Sequence, residues 1–173
     1  MSIWFSADLH LGHRKATEKF KKPGGEPLRP FGSVEETDEA IISRFNSLVG
    51  PTDKLYLLGD LGWTGDGFNK LKRLNGRKIA VLGNHDRQSP AEYAEVFEEV
   101  HGALDMKDFM LTHVPIHPDC VGRFGLNVHG HLHSEALPDP RYFCVSVERN
   151  DFRPFHIDDI LARKKLIAGG DNE

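Results

Sequence analysis

Five short strand-like runs in this chain each end one or two residues before a side chain able to bind a cation. Residues 3–7 run into Asp8, residues 55–58 into Gly59-Asp60, and residues 79–82 into Gly83-Asn84-His85-Asp86. Residues 109–112 run into His113, and residues 126–128 into His129-Gly130-His131-Leu132-His133. Apolar runs of this length, bounded by turn residues, read as buried strands. Helical signals separate the early ones. Ser33 and Glu36 form a capping box ahead of Ile41, Phe45, Leu48 and Val49 on one face, and Gly50-Pro51 stops that helix. Phe68, Leu71 and Leu74 indicate a shorter helix closed by Gly76, and Ser89-Pro90-Ala91-Glu92 opens another expected to reach about residue 98. A further strand is expected near residues 143–147 and a last helix near residues 158–166.

Strand–helix alternation followed by strand-rich sequence predicts an α/β layered fold built partly of parallel units. A length of 173 residues suits one domain, expected over residues 1–167, with residues 168–173 as a frayed tail. In parallel sheets ligands bind at the carboxyl ends of strands, so the five polar termini are expected to share one edge.

Composition narrows the function. The longest apolar stretch falls far short of the ~18 residues needed to span a bilayer, so no membrane partner is expected. The N-terminus lacks a basic segment followed by a long apolar run, and a cytoplasmic location is expected. Two cysteines, Cys120 and Cys144, are too few for a disulfide framework, and Cys120 reads as a small buried side chain. Twenty-two basic residues against 26 acidic ones, a net charge of -4, argue against an extended duplex-DNA footprint. A small anionic substrate fits if cations are supplied locally. The ten histidines point to that supply, because five of them fall within residues 113–133.

Asp8-Leu9-His10, Gly59-Asp60, Gly83-Asn84-His85-Asp86, His113 and Gly130-His131-Leu132-His133 occur in this order over residues 8–133. Together they resemble the calcineurin-like metallophosphoesterase superfamily, and an ordered five-part signature is far more specific than any single part. The resemblance implies a layered β-sandwich flanked by helices (αββα), with two divalent ions at the strand ends. It assigns Asp8, His10, Asp60 and His133 to one ion, and Asp60, Asn84, His113 and His131 to the other, with Asp60 bridging. The spacing is physically sensible, since alternate residues of an extended D-x-H segment lie on one side. A donor set of imidazole, carboxylate and amide oxygen without thiolate suits Mn²⁺, Fe²⁺ or Zn²⁺, and Mn²⁺ is the favoured expectation.

The activity implied is phosphate-ester hydrolysis, in which two metals generate a hydroxide and hold the phosphoryl oxygens for in-line displacement. His85 is then the acid for the leaving oxygen, with Asp86 orienting its ring, and Asn84 also faces substrate. A phosphodiester is expected ahead of a monoester, because acid catalysis suits a poor alkoxide leaving group; nucleotides are among the small substrates that fit. A phosphomonoesterase acting on a phosphorylated metabolite is the alternative, and a non-catalytic metal-binding scaffold a more distant one. A metallo-β-lactamase-like hydrolase would need H-x-H-x-D-H, which residues 129–134 do not supply.

Residues 21–33, with three prolines and three glycines, are expected to form a lid that brings Arg29 to a phosphoryl oxygen as a bidentate clamp. His13 is a candidate for facing the phosphate. His129 is expected to support ligands rather than ligate, His117 is a lesser candidate at the substrate entrance, and His101 and His156 read as structural. Arg163-Lys164-Lys165 is expected as the solvated last turn of the final helix.

Overall fold

The computed structural model describes residues 1–63 and 65–170. Strands β1 (Ile3–Ser6), β2 (Lys54–Leu58), β3 (Arg77–Val81) and β4 (Glu99–His101) are mutually parallel in the order β4-β3-β2-β1. Strands β5 (Leu104–Asp105), β6 (Met110–Leu111), β7 (Asn127–His129) and β8 (Tyr142–Cys144) form a second mixed sheet in sequential order. The chain then returns to the first sheet as β9 (Phe155–His156), antiparallel to β1.

Period-two alternation builds two cores from this arrangement. Phe5, Ala7, Tyr56, Leu58, Ile79 and Val81 meet Leu111, Leu126, Val128 and Val145 between the sheets. Leu55, Leu57 and Ala80 face the opposite way, onto Ile41, Phe45, Leu71 and Leu74. Strands covered on both faces read as unbroken apolar runs rather than alternating ones, which is the pattern of β1 to β3. Truncating Leu55 or Leu57, each with no exposed surface, would cost about 2–5 kcal/mol.

Helices α1 (Arg14–Glu18), α2 (Val34–Asn46), α3 (Asp66–Asn69), α4 (Pro90–Ala94), α5 (Pro118–Val121) and α6 (Ile157–Gly170) complete the layers. Ser33 caps α2 by accepting from the Glu36 N–H at 3.1 Å, and Ser89 with Glu92 forms a complete capping box on α4. The outer face of the second sheet is covered by the loop after His113. There the Ile116 N–H donates to Asn127 Oδ1 at 3.0 Å, and the Tyr142 hydroxyl donates to the Ile116 carbonyl at 2.7 Å.

Several expectations need correction. The helix opened by Ser89 ends at Ala94 because the chain turns to bury Phe97 beside Tyr93 and then adds β4 to the sheet edge. The final helix continues through Gly170, so residues 168–170 are helical, and residues 171–173 of the expected tail lie outside the described residues. Arg163-Lys164-Lys165 therefore sits in mid-helix, where Lys164 pairs with Asp108 at 2.6 Å. Cys120 is exposed and Cys144 is buried. Among the described residues no helix is long and apolar enough to cross a membrane.

Candidate metal centre

The carboxyl ends of β1, β2 and β7 converge, and their backbones leave the sheet in an unusual conformation. Eight non-glycine residues among those described have positive φ, and five of them are Asp8 (57°), His10 (45°), Asp60 (53°), His131 (71°) and His133 (51°). Left-handed backbone is disfavoured for residues bearing a Cβ, and such strain concentrates where side chains must be aimed. Glycines permit the close approach. A Cβ on Gly59 (φ +83°) would lie 2.5 Å from His113 Nδ1, and one on Gly130 would lie 2.5 Å from Ala7 Cβ and 2.7 Å from Asp8 Oδ2.

Asp8 is fully buried. Its Oδ2 accepts from the His131 N–H at 2.8 Å and the Ser146 hydroxyl at 2.6 Å, whereas Oδ1 is buried with no hydrogen-bond partner. Burial pushes this carboxyl up to about 6 against the pull of His133 and His113, so the isolated pocket resists its negative charge. A cation facing Oδ1 would relieve that cost. Oxygen and nitrogen atoms of Asp8, His10 and His133, and again of Asp8, Asp60 and His113, lie within 4.8 Å of one another.

His113 donates from Nδ1 to the Leu58 carbonyl at 2.8 Å, which leaves Nε2 as the ring's free acceptor. That nitrogen stands 3.0 Å from Asn84 Oδ1, 3.3 Å from His131 Nδ1 and 3.5 Å from Asp60 Oδ2. Donor atoms about 2.1 Å from a shared ion are separated by about 3.0–3.4 Å, the spacing of this group. Burial alone would lower His113, but Asp60 and Asp8 push it up to about 9; without a metal a proton supplies the missing positive charge. On the other side, Asp60 Oδ2 is also 3.5 Å from His10 Nε2. Burial opposes ionisation of Asp60, yet His113 and the His85 N–H bring it down to about 2, and burial takes His10 down to about 3. The donor set, the orphaned oxygen and the spacing all fit divalent cations.

The structure brings Asp8, His10, Asp60, Asn84, His113, His131 and His133 to one edge, with the carboxylates buried and Asn84 and His131 exposed. His85 is exposed beside them, its ring 5.8 Å from that of His10, and its N–H donates to Asp60 Oδ1 at 2.9 Å. His13 lies 5.2 Å from the His10 ring and stacks on Trp63 at 4.0 Å with a 4° interplanar angle. His129 is buried, donating from Nδ1 to the Gly130 carbonyl at 2.8 Å. His117 is exposed and caps α5 through Asp119.

Two assigned roles are corrected. Asp86 does not hold the His85 ring; its carboxylate accepts the backbone N–H groups of Asp60 (2.8 Å), Leu61 (3.0 Å) and Gly83 (2.8 Å), tying the ends of β2 and β3 together. Arg29 is not a phosphate clamp on a lid. It is 1% exposed and donates to Glu148 Oε1, to the Leu9 carbonyl at 2.9 Å and to the Asp8 carbonyl at 2.6 Å. Nor do residues 21–33 form a free flap: Lys21 bridges Pro27, Leu28 donates to the Phe20 carbonyl at 2.8 Å, and Leu28 and Arg29 are buried. Glu148, missed in the sequence, comes within 3.3 Å of His133 Nδ1, close enough for charge attraction though not aligned for a hydrogen bond. Arg29 and His133 hold its carboxyl down at about 2 in spite of burial.

Carboxylates and imidazoles at the carboxyl ends of strands from two packed sheets thus come together as a candidate metal site. The chain belongs to the calcineurin-like phosphoesterase family, matched over residues 1–169, whose members typically bind two divalent metals. It is 30% identical over 179 residues to the uncharacterized protein MJ1445 of Methanocaldococcus jannaschii, covering 97% of this chain and 92% of the other. It is 28% identical over 180 residues to the Gene 66 protein of Mycobacterium phage L5, covering 79% of each. Among solved structures, the protein of unknown function AQ665 from Aquifex aeolicus superposes with a TM-score of 0.68 at 25% identity, covering 93% of this chain and 98% of that one.

Proposed function

We propose that this phosphoesterase is a dinuclear enzyme cleaving phosphodiesters, with Asp60 shared between its two ions and Mn²⁺ as the activating metal. The observation that carries this reading is the position of Asp60 Oδ2, 3.5 Å from Nε2 of both His10 and His113. Bound divalent ions would supply Lewis acidity, lowering the pKa of an attacking water and neutralising phosphoryl charge. Asp8, His10, Asp60 and His133 would hold one, and Asp60, Asn84, His113 and His131 the other.

The chain's own part is positioning and proton transfer. His85 is anchored through its backbone to Asp60 while its exposed ring stands at the rim. It is assigned to protonate the leaving oxygen as water adds to phosphorus and the P–O ester bond breaks, giving a monoester and an alcohol. His13, stacked on Trp63, lies with its ring 5.2 Å from that of His10. The commitment of Arg29 to Glu148 favours diesters, because the guanidinium that would balance the second charge of a monoester is turned inward. Kinetics with Mn²⁺ on bis-p-nitrophenyl phosphate and p-nitrophenyl phosphate, with bound metal counted, test the reading. A higher kcat/KM on the diester with two ions per chain is expected; a dominant monoester rate, or a single ion at saturation, overturns it.

A further inference from the structure

We infer that the extended substrate is a single-stranded nucleic acid, its backbone tracked by a basic arm and its bases stacked on Phe20 and Trp63 at the metal centre. This rests on the phosphodiesterase reading above and deepens it. The arm is residues 14–22, Arg-Lys-Ala-Thr-Glu-Lys-Phe-Lys-Lys, which carry five cations and one carboxylate in a chain of net charge -4. Ala16 and Thr17 anchor it inward, while Arg14, Lys15, Lys19 and Lys21 are exposed. Arg14 pairs with Glu18 at 3.6 Å; among the described residues Lys15, Lys19, Lys21 and Lys22 have no carboxylate within ion-pair distance. Four of the five cations are thus gathered at one place without an ion-pair partner among the described residues.

That place adjoins the centre. Lys19, Phe20 and Lys21 line a cleft of about 460 Å³ whose opposite wall includes His131, His133 and the single carboxylate Glu135. Phe20 is 38% exposed, with its ring 5.8 Å from His13 and 6.3 Å from His133. Trp63 is 40% exposed, stacked on His13 and 6.1 Å from His85. Two large aromatics, each in ring contact with His13 yet open to solvent, are free to meet a ligand. Every nucleobase offers a face to such rings, and lysines beside them suit the flanking phosphates. A duplex keeps its bases stacked on one another and needs a broader basic face than this arm provides. A lipid anion would engage the lysines but leave the rings unused, and an acidic peptide would use the rings only through aromatic or arginine side chains of its own.

Fluorescence anisotropy of a labelled oligonucleotide with the full chain in EDTA tests binding apart from turnover. The single strand is expected to bind at least tenfold more tightly than the duplex of the same sequence. Lys19→Ala combined with Lys21→Ala should flatten the dependence of log Kd on log salt by about 1.4, at about 0.7 per phosphate contact. Phe20→Ala and Trp63→Ala should each weaken binding roughly 5- to 100-fold at unchanged salt slope. Phe20→Leu, which keeps apolar bulk without the ring, guards against a folding artefact and should lose affinity too. In the metal-loaded enzyme the same variants should lower kcat/KM on the oligonucleotide at least tenfold more than on bis-p-nitrophenyl phosphate. Equal affinity for duplex and single strand, or turnover of the small diester with no oligonucleotide binding, overturns the strand-binding surface and spares the diesterase. Oligonucleotide binding with these signatures but no hydrolysis of any diester supports the surface and overturns the diesterase.

Discussion

Arg29 donates twice to one oxygen of Glu148, from Nε at 2.9 Å and from Nη2 at 2.8 Å, and each side chain is 1% exposed. The remaining guanidinium bonds go to the carbonyls of Asp8 and Leu9, and Glu148 faces His133. One buried ion pair therefore fixes the backbone of one candidate ligand and sets a carboxylate beside the ring of another. Arg29→Ala would strand the carboxylate and should cost about 3–5 kcal/mol in urea unfolding of the metal-free chain. Arg29→Lys should recover little, since a single ammonium does not reproduce a planar fork reaching three acceptors. A loss below about 1 kcal/mol for Arg29→Ala would refute this role.

The cluster also sets a pH dependence. His113 titrates at about 9 in the folded metal-free protein and at its ordinary 6.5 when unfolded. Between those values the folded state holds more protons, so its stability is fully present below about 6.5 and is lost as pH rises through about 9. His10 and His129, lowered to about 3 and about 4, change stability only below 6.5 and leave this window clear. Urea midpoints in EDTA should fall from pH 6.5 to pH 9.5. Because a bound ion replaces the His113 proton, loading with Mn²⁺ at pH 7.5 should also release protons, readable by calorimetry in buffers of different ionisation enthalpy. Buffer-independent heats would exclude the exchange.

What the sequence discloses follows from what each residue's neighbours in the chain determine. The strands β1, β2 and β3 are covered on both faces, so their apolar runs are continuous, and the donors following them are plain in one dimension. Strands β4, β5 and β9 are two or three residues long and carry no period to read. Asp86 and Arg29 were chemically suggestive, yet their roles turn on partners far along the chain, Asp60 at 26 positions and Glu148 at 119. Glu148 left no local signal, being one carboxylate in a 3-10 turn. Five of the candidate ligand positions adopt left-handed backbone, a property that Asp and His tolerate without announcing it.

His85 separates chemistry from metal binding. Its backbone N–H, which alanine retains, donates to Asp60, while its ring makes no hydrogen bond to a candidate ligand among the described residues. His85→Ala should therefore keep the metal content of the parent and lower kcat by about 10²–10⁴ on a diester with a poor leaving group. With p-nitrophenolate as the leaving group, which needs less protonation, the loss should be smaller. Equal losses on both substrates, or loss of metal, would remove its assignment as the acid.

Gly130 tests whether close strand approach builds the centre. Asp8 is aimed by the His131 N–H and the Ser146 hydroxyl, both reaching Oδ2, and an added Cβ at Gly130 would sit 2.7 Å from that oxygen and 2.5 Å from Ala7 Cβ. Neither neighbour is the free end of a flexible side chain: Ala7 and Asp8 are fully buried. Gly130→Ala should then push β1 from the end of β7, cost about 1–3 kcal/mol from overpacking, and turn Asp8 from the candidate metal site. Gly102→Ala is the control, since a Cβ there meets nothing within 4 Å. Calorimetric titration with Mn²⁺ is expected to show at least tenfold weaker uptake in Gly130→Ala and parental uptake in Gly102→Ala. Parental affinity in Gly130→Ala would mean that the centre tolerates a wider gap between the strands, and that the approach of Gly130 to Asp8 does not position the carboxylate.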